Sequence, residues 1–431
     1  MVVGDCLEKP YTETGAIAIA TLMSEVHSNE ASVSFLIRSL TNPFAGYAAG
    51  FGISVAVYSL GYSDLYPPLQ PSLIWFLLST CAICALLACM AGTIVDRPLI
   101  KMEAFGPHFR IFSVLVAVFV VEVVANGGIP LLLIAAGTDY NYQDFGVPEL
   151  HVAYVGFAYF YAVYWFDLFV MRQGRRFLLI SLCMIATSLL IVSRGGFITL
   201  LISITFVYVR RRGFVRKLAM VFAVLAAIVT WGFGLLGDLR THGASGESII
   251  LSIGKPSDKF LNSEVPEELF WPYLYASSPL ANLQVNMTDR TATDSPGLYL
   301  GLELLPDFVS KRIVSDEARA ASTPLLITDA LTVCTMYGRA FVLLGWLGLL
   351  FGFSYFVLVS ILCIKLLRNS KYFVAALGTL SAIALMNMFD NMFISSAGIL
   401  PVLTALFLNV FERTPALSHA RIGLPGSHPH S

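Results

Sequence analysis

The chain has 431 residues, of which 57% are hydrophobic and 13% charged, with a formal net charge of −1. Its mean hydropathy of +0.75 sets it apart from soluble domains, which are about 45–50% apolar and about 25% charged. The composition excludes an ordinary soluble enzyme and points to membrane spans, and nothing in the charge points to a nucleic-acid partner.

Residues 1–42 are of mixed polarity and lack the charged and apolar regions of a signal peptide, so they are expected to stay cytoplasmic. Seven apolar runs follow within 43–237: Pro43–Tyr62, Ser72–Val95, Phe109–Ala136, His151–Met171, Phe177–Val192, Phe197–Val209 and Leu218–Gly237. The fifth and sixth are short. They read as two thin helices meeting at Ser193-Arg194-Gly195-Gly196, with the glycines letting the chain turn back. Residues 238–338 form a loop of about 100 residues, a length that is usually functional or disordered. Its apolar and aromatic clusters (Phe270, Trp271, Tyr273, Tyr275, Leu302 to Phe308) predict short helices lying on the bundle. Arg339–Leu366, Tyr372–Phe389 and Met392–Phe411 bring the count to about ten spans by the length rule. A polar tail, 412–431, closes the chain. The expected fold is an all-α polytopic membrane protein.

Lysine and arginine fix the expected orientation. With the N-terminus inside, the cytoplasmic segments hold Lys9 and Arg38, then Arg97, Lys101 and Arg110, then Arg172, Arg175 and Arg176. They go on to hold Arg210, Arg211, Arg212, Arg216 and Lys217, then Lys365, Arg368 and Lys371, and finally Arg413 and Arg421. The short external loops 63–71 and 138–149 hold none. This bias places both termini in the cytoplasm. Cys81 and Cys84 form a C-x-x-C in mid-span with no second pair and read as packing, not as a metal site. No phosphate-binding glycine loop, HEXXH, GxSxG or zinc spacing occurs.

Charges at membrane depth are costly and therefore informative. Arg194 falls at the external end of the two short helices. It is either a snorkelling arginine or a fixed guanidinium that grips an anion in a bidentate fork. Arg240 and His242, in "WGFGLLGDLRTHG", and Arg339, in "TDALTVCTMYGRAF", lie at the next two external boundaries. Three arginines around one mouth suit an anionic ligand. Glu122 is either a packing contact or a cavity-lining group. Asp167 is expected to pair with Arg172. Asp329 and Asp390 either form ion pairs or orient a hydroxyl or the arginines. His151 and His242 are either solvated or candidate bases.

Five segments resemble the Wzy-type oligosaccharide repeat-unit polymerases. They are "NPFAGYAAGFGISVAVYSLGYSDLYPPL" at the first span, "GGIPLLLIAAGTDYNYQDFGVPELHV", SRGG, "GLLGDLR" opening the loop, and "YLYASSPLANLQ" within it. Together they run from about Asn42 to Phe411, and their order is more specific than any one of them. The resemblance implies a GT-C-like inner-membrane glycosyltransferase that uses no cofactor and no metal. It would transfer a growing glycan from undecaprenyl diphosphate to the non-reducing end of another lipid-linked repeat unit, in O-antigen or exopolysaccharide synthesis. Its partners would be undecaprenyl-diphosphate-linked oligosaccharides and the lipid bilayer, with a chain-length regulator and a flippase nearby. By motif, Arg194 and Arg240 would bind the diphosphate, while Tyr275, Pro279 and Asn282 would shape the acceptor side. The chain departs from the family's glycine-rich "YG..G" at Tyr337-Gly338-Arg339-Ala340. The candidate catalytic set is thus Arg194, Arg240, His242 and Asp329, and the candidate binding set adds Arg339, Tyr275, Pro279, Asn282, Glu122 and Asp390. The rival readings are an O-antigen ligase, which shares the bundle and the loop, and a polysaccharide transporter or flippase, which would show inverted repeats or broken midplane helices.

Overall fold

The computed structural model describes residues 32–94, 107–138, 140–141, 144–213 and 249–413. These residues are mostly helical, with no strand among them; an isolated bridge between Ser63 and Pro256 is the one extended pairing in the described part. The helices are α1 (32–40), α2 (Pro43–Tyr58), α3 (Pro71–Ile94), α4 (His108–Ala125), α5 (Pro130–Ala135), α6 (Leu150–Val170), α7 (Arg175–Leu190) and α8 (Arg194–Arg212). After residues 214–248 come α9 (Ile249–Gly254), α10 (Asp258–Leu261), α11 (Phe270–Asp289), α12 (Pro296–Tyr299), α13 (Asp307–Ile313) and α14 (Asp316–Ala321). Then follow α15 (Gly338–Leu367), α16 (Phe373–Met386) and α17 (Ser396–Arg413). Four of these, α3, α4, α6 and α15, are long and apolar enough to cross a membrane, and α2, α16 and α17 are shorter apolar helices.

Burial separates centre from periphery. The apolar window of α6 is 78% buried against 17% for α4 and 28% for α3, so α6 is an axial helix and the other two face outward. Trp75, Leu86 and Val124 are exposed on those outer faces, as a lipid-facing surface requires. The 14-residue α16 is buried on all sides. Its rise of about 21 Å falls short of a hydrocarbon core of ~30 Å.

Side-chain size sets how the central helices meet. "GYAAG" in α2 is a small-xxx-small pattern, and Gly46 and Gly50 lie on the backbone of Ser381 and Leu385 in α16. A Cβ on Gly46 would come within 2.4 Å of the Ser381 carbonyl oxygen. Such close backbone approach replaces the hydrophobic drive that lipid does not supply. The order of these contacts makes α2 and α16 parallel. Arg210, at the end of α8, donates from Nη1 to Thr41 Oγ1 at 3.0 Å, just ahead of α2. Helix α8 is therefore antiparallel to both.

One end of the bundle is rich in arginine. There Arg211 clamps Asp167 through Nε to Oδ1 at 2.6 Å and Nη2 to Oδ2 at 2.8 Å, Arg212 donates to the Val170 carbonyl, and Lys371 meets Glu412 at 2.7 Å. This corrects the expected pairing of Asp167 with Arg172. Arg172 sits in the turn after α6 at φ 63° and is exposed, while Asp167 is fully buried toward α8.

Three other expectations change in detail. The span expected at Phe109–Ala136 ends at Ala125, and a turn at Asn126–Gly128 leads into the separate α5, opened by Pro130. The glycines of SRGG do not make the turn. The reversal falls at Ile191–Ser193, with Val192 at φ 59°, and Gly195 and Gly196 are already helical in α8. Gly196 is needed for another reason, since a Cβ there would lie 2.5 Å from the Tyr159 hydroxyl. The loop holds short helices as expected, but it also holds the 20-residue α11, more than half of whose residues are buried. The expected seventh span, Leu218–Gly237, lies outside the described residues.

Candidate functional site

Direction along each helix gathers the candidate groups at the end opposite the arginine-rich one. Arg194 opens α8, Arg339 opens α15, Asp390 follows α16, Glu122 nears the end of α4 and His151 starts α6. They do not form one cluster. Arg240 and His242 lie outside the described residues.

The densest group surrounds Glu303. This residue sits in a π-helical turn, Leu300–Leu304, that continues α12, a geometry common at functional sites. Its side chain is 3% exposed and its Oε1 lies 3.8 Å from Arg339 Nη1. Asn391 Nδ2 donates to Glu303 Oε2 at 3.0 Å and to the Glu303 carbonyl at 3.2 Å. Asp307 is held nearby by its N–H to the Ile394 carbonyl at 2.8 Å. Asp390 is reached by solvent, and its Oδ1 accepts from the Asn391 N–H at 2.7 Å. Segments 299–307, 334–339 and 387–394 thus meet at one spot, tied together by the Met336 N–H to the Asn387 carbonyl at 2.9 Å.

The electrostatics of this spot are unusual for a surface. Burial pushes the Glu303 carboxyl up to about 7; Arg339 and Asn391 pull it down, and Asp390 and Asp307 add to the rise. Asp390 is raised by the protein walling it, against the pull of the Asn391 N–H and Arg339. Asp307 is raised by burial as well, opposed by Lys311, Arg339 and Arg319. A carboxyl near 7 can take or give a proton at neutral pH. Two buried donors beside it, Arg339 Nε and Asn387 Nδ2, have no hydrogen-bond partner. Such orphaned donors are costly and call for an acceptor oxygen.

Other candidates stand apart. Arg194 is half-buried, and no hydrogen bond or ion pair reaches its side chain among the described residues. Glu122 is buried, with Oε2 3.1 Å from His151 Nδ1 and Oε1 without a partner. Asp329 is exposed. Tyr275 is half-buried and lies against Trp271 with ring centroids 5.6 Å apart. Pro279 is buried inside α11. Asn282 is committed to the scaffold: its Nδ2 donates to the carbonyls of Leu331 and Val333 and its Oδ1 accepts from the Ile327 N–H. Both amide hydrogens are used to pin the segment that carries Asp329, so α11 braces the loop over the bundle.

Sequence reasoning passed over Glu303, Asp307, Asn387 and Asn391. The available signal was an acid inside the apolar stretch "GLYLGLELLPDF", the pattern that marks functional carboxyls in spans. Compared with known proteins, the chain matches no family model, no curated protein and no solved structure.

Proposed function

We propose that the chain is a polytopic inner-membrane glycosyltransferase of about ten spans, GT-C-like, that polymerises lipid-linked oligosaccharide repeat units. One observation supports this reading above the others: a guanidinium with an orphaned buried Nε, Arg339, beside a carboxyl poised near neutrality, Glu303, at the end of the bundle that also carries Arg194. Arginine suits the diphosphate of a polyprenyl donor, where negative charge grows as the C1–O bond to phosphate breaks. Glu303 or Asp390 would take the proton of the acceptor hydroxyl as its oxygen forms the new bond to C1. The products are the extended glycan on the acceptor's carrier and the donor's undecaprenyl diphosphate, released free. Fixed positioning supplies much of the remaining acceleration.

The test is the surface glycan of a strain lacking this gene, complemented with wild type, Arg194→Ala or Arg194→Lys, each checked for protein level. Wild type is expected to restore a ladder. Both variants are expected to leave single repeat units, because lysine keeps the charge and loses the fork. A full ladder with Arg194→Lys would make Arg194 a structural anchor. Long polymer retained on its lipid carrier in the deletion strain would turn the reading to ligase, and accumulation of unflipped units would turn it to transport.

A further inference from the structure

The mechanism leaves unused the arginines at the opposite end of the bundle. A cleft of about 540 Å³ opens there between the end of α6, the start of α7 and the end of α8. Arg172, Arg175 and Arg212 line it together with Phe169, Val170 and Tyr208, and among the described residues no acid does. The buried carboxylate at this end of the bundle, Asp167, is already clamped by Arg211. Arg172 and Arg175 are exposed, and neither has a hydrogen bond or ion pair among the described residues. Arg212 is fixed by its bond to the Val170 carbonyl. The 16-residue α7 begins at Arg175, after Gly174, which has no side chain to cap it; both residues line the cleft, and the helix N-terminus beside it adds to its positive potential.

We propose that this cleft binds the phosphate headgroup of an anionic glycerophospholipid. Three guanidinium groups with no counter-charge among the described residues are a match for phosphate. The wall of Phe169, Val170 and Tyr208 offers apolar surface where a glyceride backbone would lie, which a free inorganic anion has no use for. The position fits as well: basic pockets between helices at the arginine-rich face are where acidic headgroups lie. The turn at Met171–Gly174 holds Arg172 at φ 63°, a conformation costly for a residue with a side chain. In this position the guanidinium borders the cleft instead of pairing with Asp167.

The detergent-purified full chain is titrated with phosphatidylglycerol or phosphatidylcholine, and bound lipid is read by native mass spectrometry. Wild type is expected to bind phosphatidylglycerol in preference to phosphatidylcholine. The double variant Arg172→Gln/Arg175→Gln is expected to bind phosphatidylglycerol at least about tenfold more weakly, through loss of two charge-assisted contacts. Arg176→Gln is the control, since Arg176 lies over the Phe177 ring, 5.0 Å from its centroid, and is not in the cleft lining; it is expected to bind as wild type. Equal binding by wild type and the double variant would overturn the proposal, as would equal affinity for the two lipids. Full displacement of phosphatidylglycerol by inorganic phosphate at matched concentration would also overturn it, by making the site one for free phosphate.

Discussion

At the scale of single residues, Glu303 has the sharpest consequences. Its carboxyl lies at about 7 because it is buried, whereas an ordinary glutamate titrates near ~4.3. The folded chain therefore holds this proton where the unfolded chain has lost it. Stability from this group is full below the ordinary glutamate value and is lost as pH rises through about 7. Glu303→Gln keeps a neutral side chain at every pH, so its unfolding temperature is expected to fall less than that of wild type between pH 5 and pH 8. If Glu303 is the base, transfer by wild type rises through the same window, and Glu303→Gln loses about 10²–10⁴-fold with that pH dependence flattened. Equal pH profiles for the two proteins would remove Glu303 from the chemistry. Arg339 and Asp390 were legible in the sequence as charges at span ends. Glu303 was legible only as an acid in an apolar stretch; its partners Asn391 and Arg339 are distant in the chain, and only folding brings them to it.

At the scale of elements, the ends of α6 and α8 show what spacing conceals. Arg172 is five residues from Asp167 and is its obvious partner on paper. The left-handed turn at Arg172 carries it outward, and α8, which ends at the same end of the bundle as α6, delivers Arg211 to both carboxylate oxygens. Both side chains are almost wholly removed from solvent, so the loss of one partner strands the other. Asp167→Asn is expected to destabilise the bundle by about 3–5 kcal/mol, read as a lower unfolding temperature in detergent. Arg172→Gln should change it little, and a large effect there would reinstate the pairing the sequence suggested. The same limit applies to SRGG. The sequence marked the place of the reversal to within a few residues, but the turn uses Val192, and Gly196 serves a close contact with Tyr159 that no local pattern could announce.

For the whole molecule, helix direction is the test of topology. The chain leaves α8 at the arginine-rich end, where Arg210 meets Thr41. By Gly254 it is at the other end, since Ser63 Oγ, beyond the far end of α2, donates to the Gly254 carbonyl at 2.5 Å. The loop residues through Arg339 stay at that end, and α15 returns. Gly213 and Gly254 thus lie at opposite ends, and hydropathy places the expected span Leu218–Gly237 between them in the sequence. With the positive-inside rule, a reporter fused after Arg212 is expected to be cytoplasmic and one fused after Gly243 external. The two fusions on the same side would mean that no crossing lies between them and that the loop with Glu303 does not face away from the arginines. Reversed sides would keep the bundle and invert it, placing the basic cleft outside, where neither a donor on the external leaflet nor the charge bias could be accommodated.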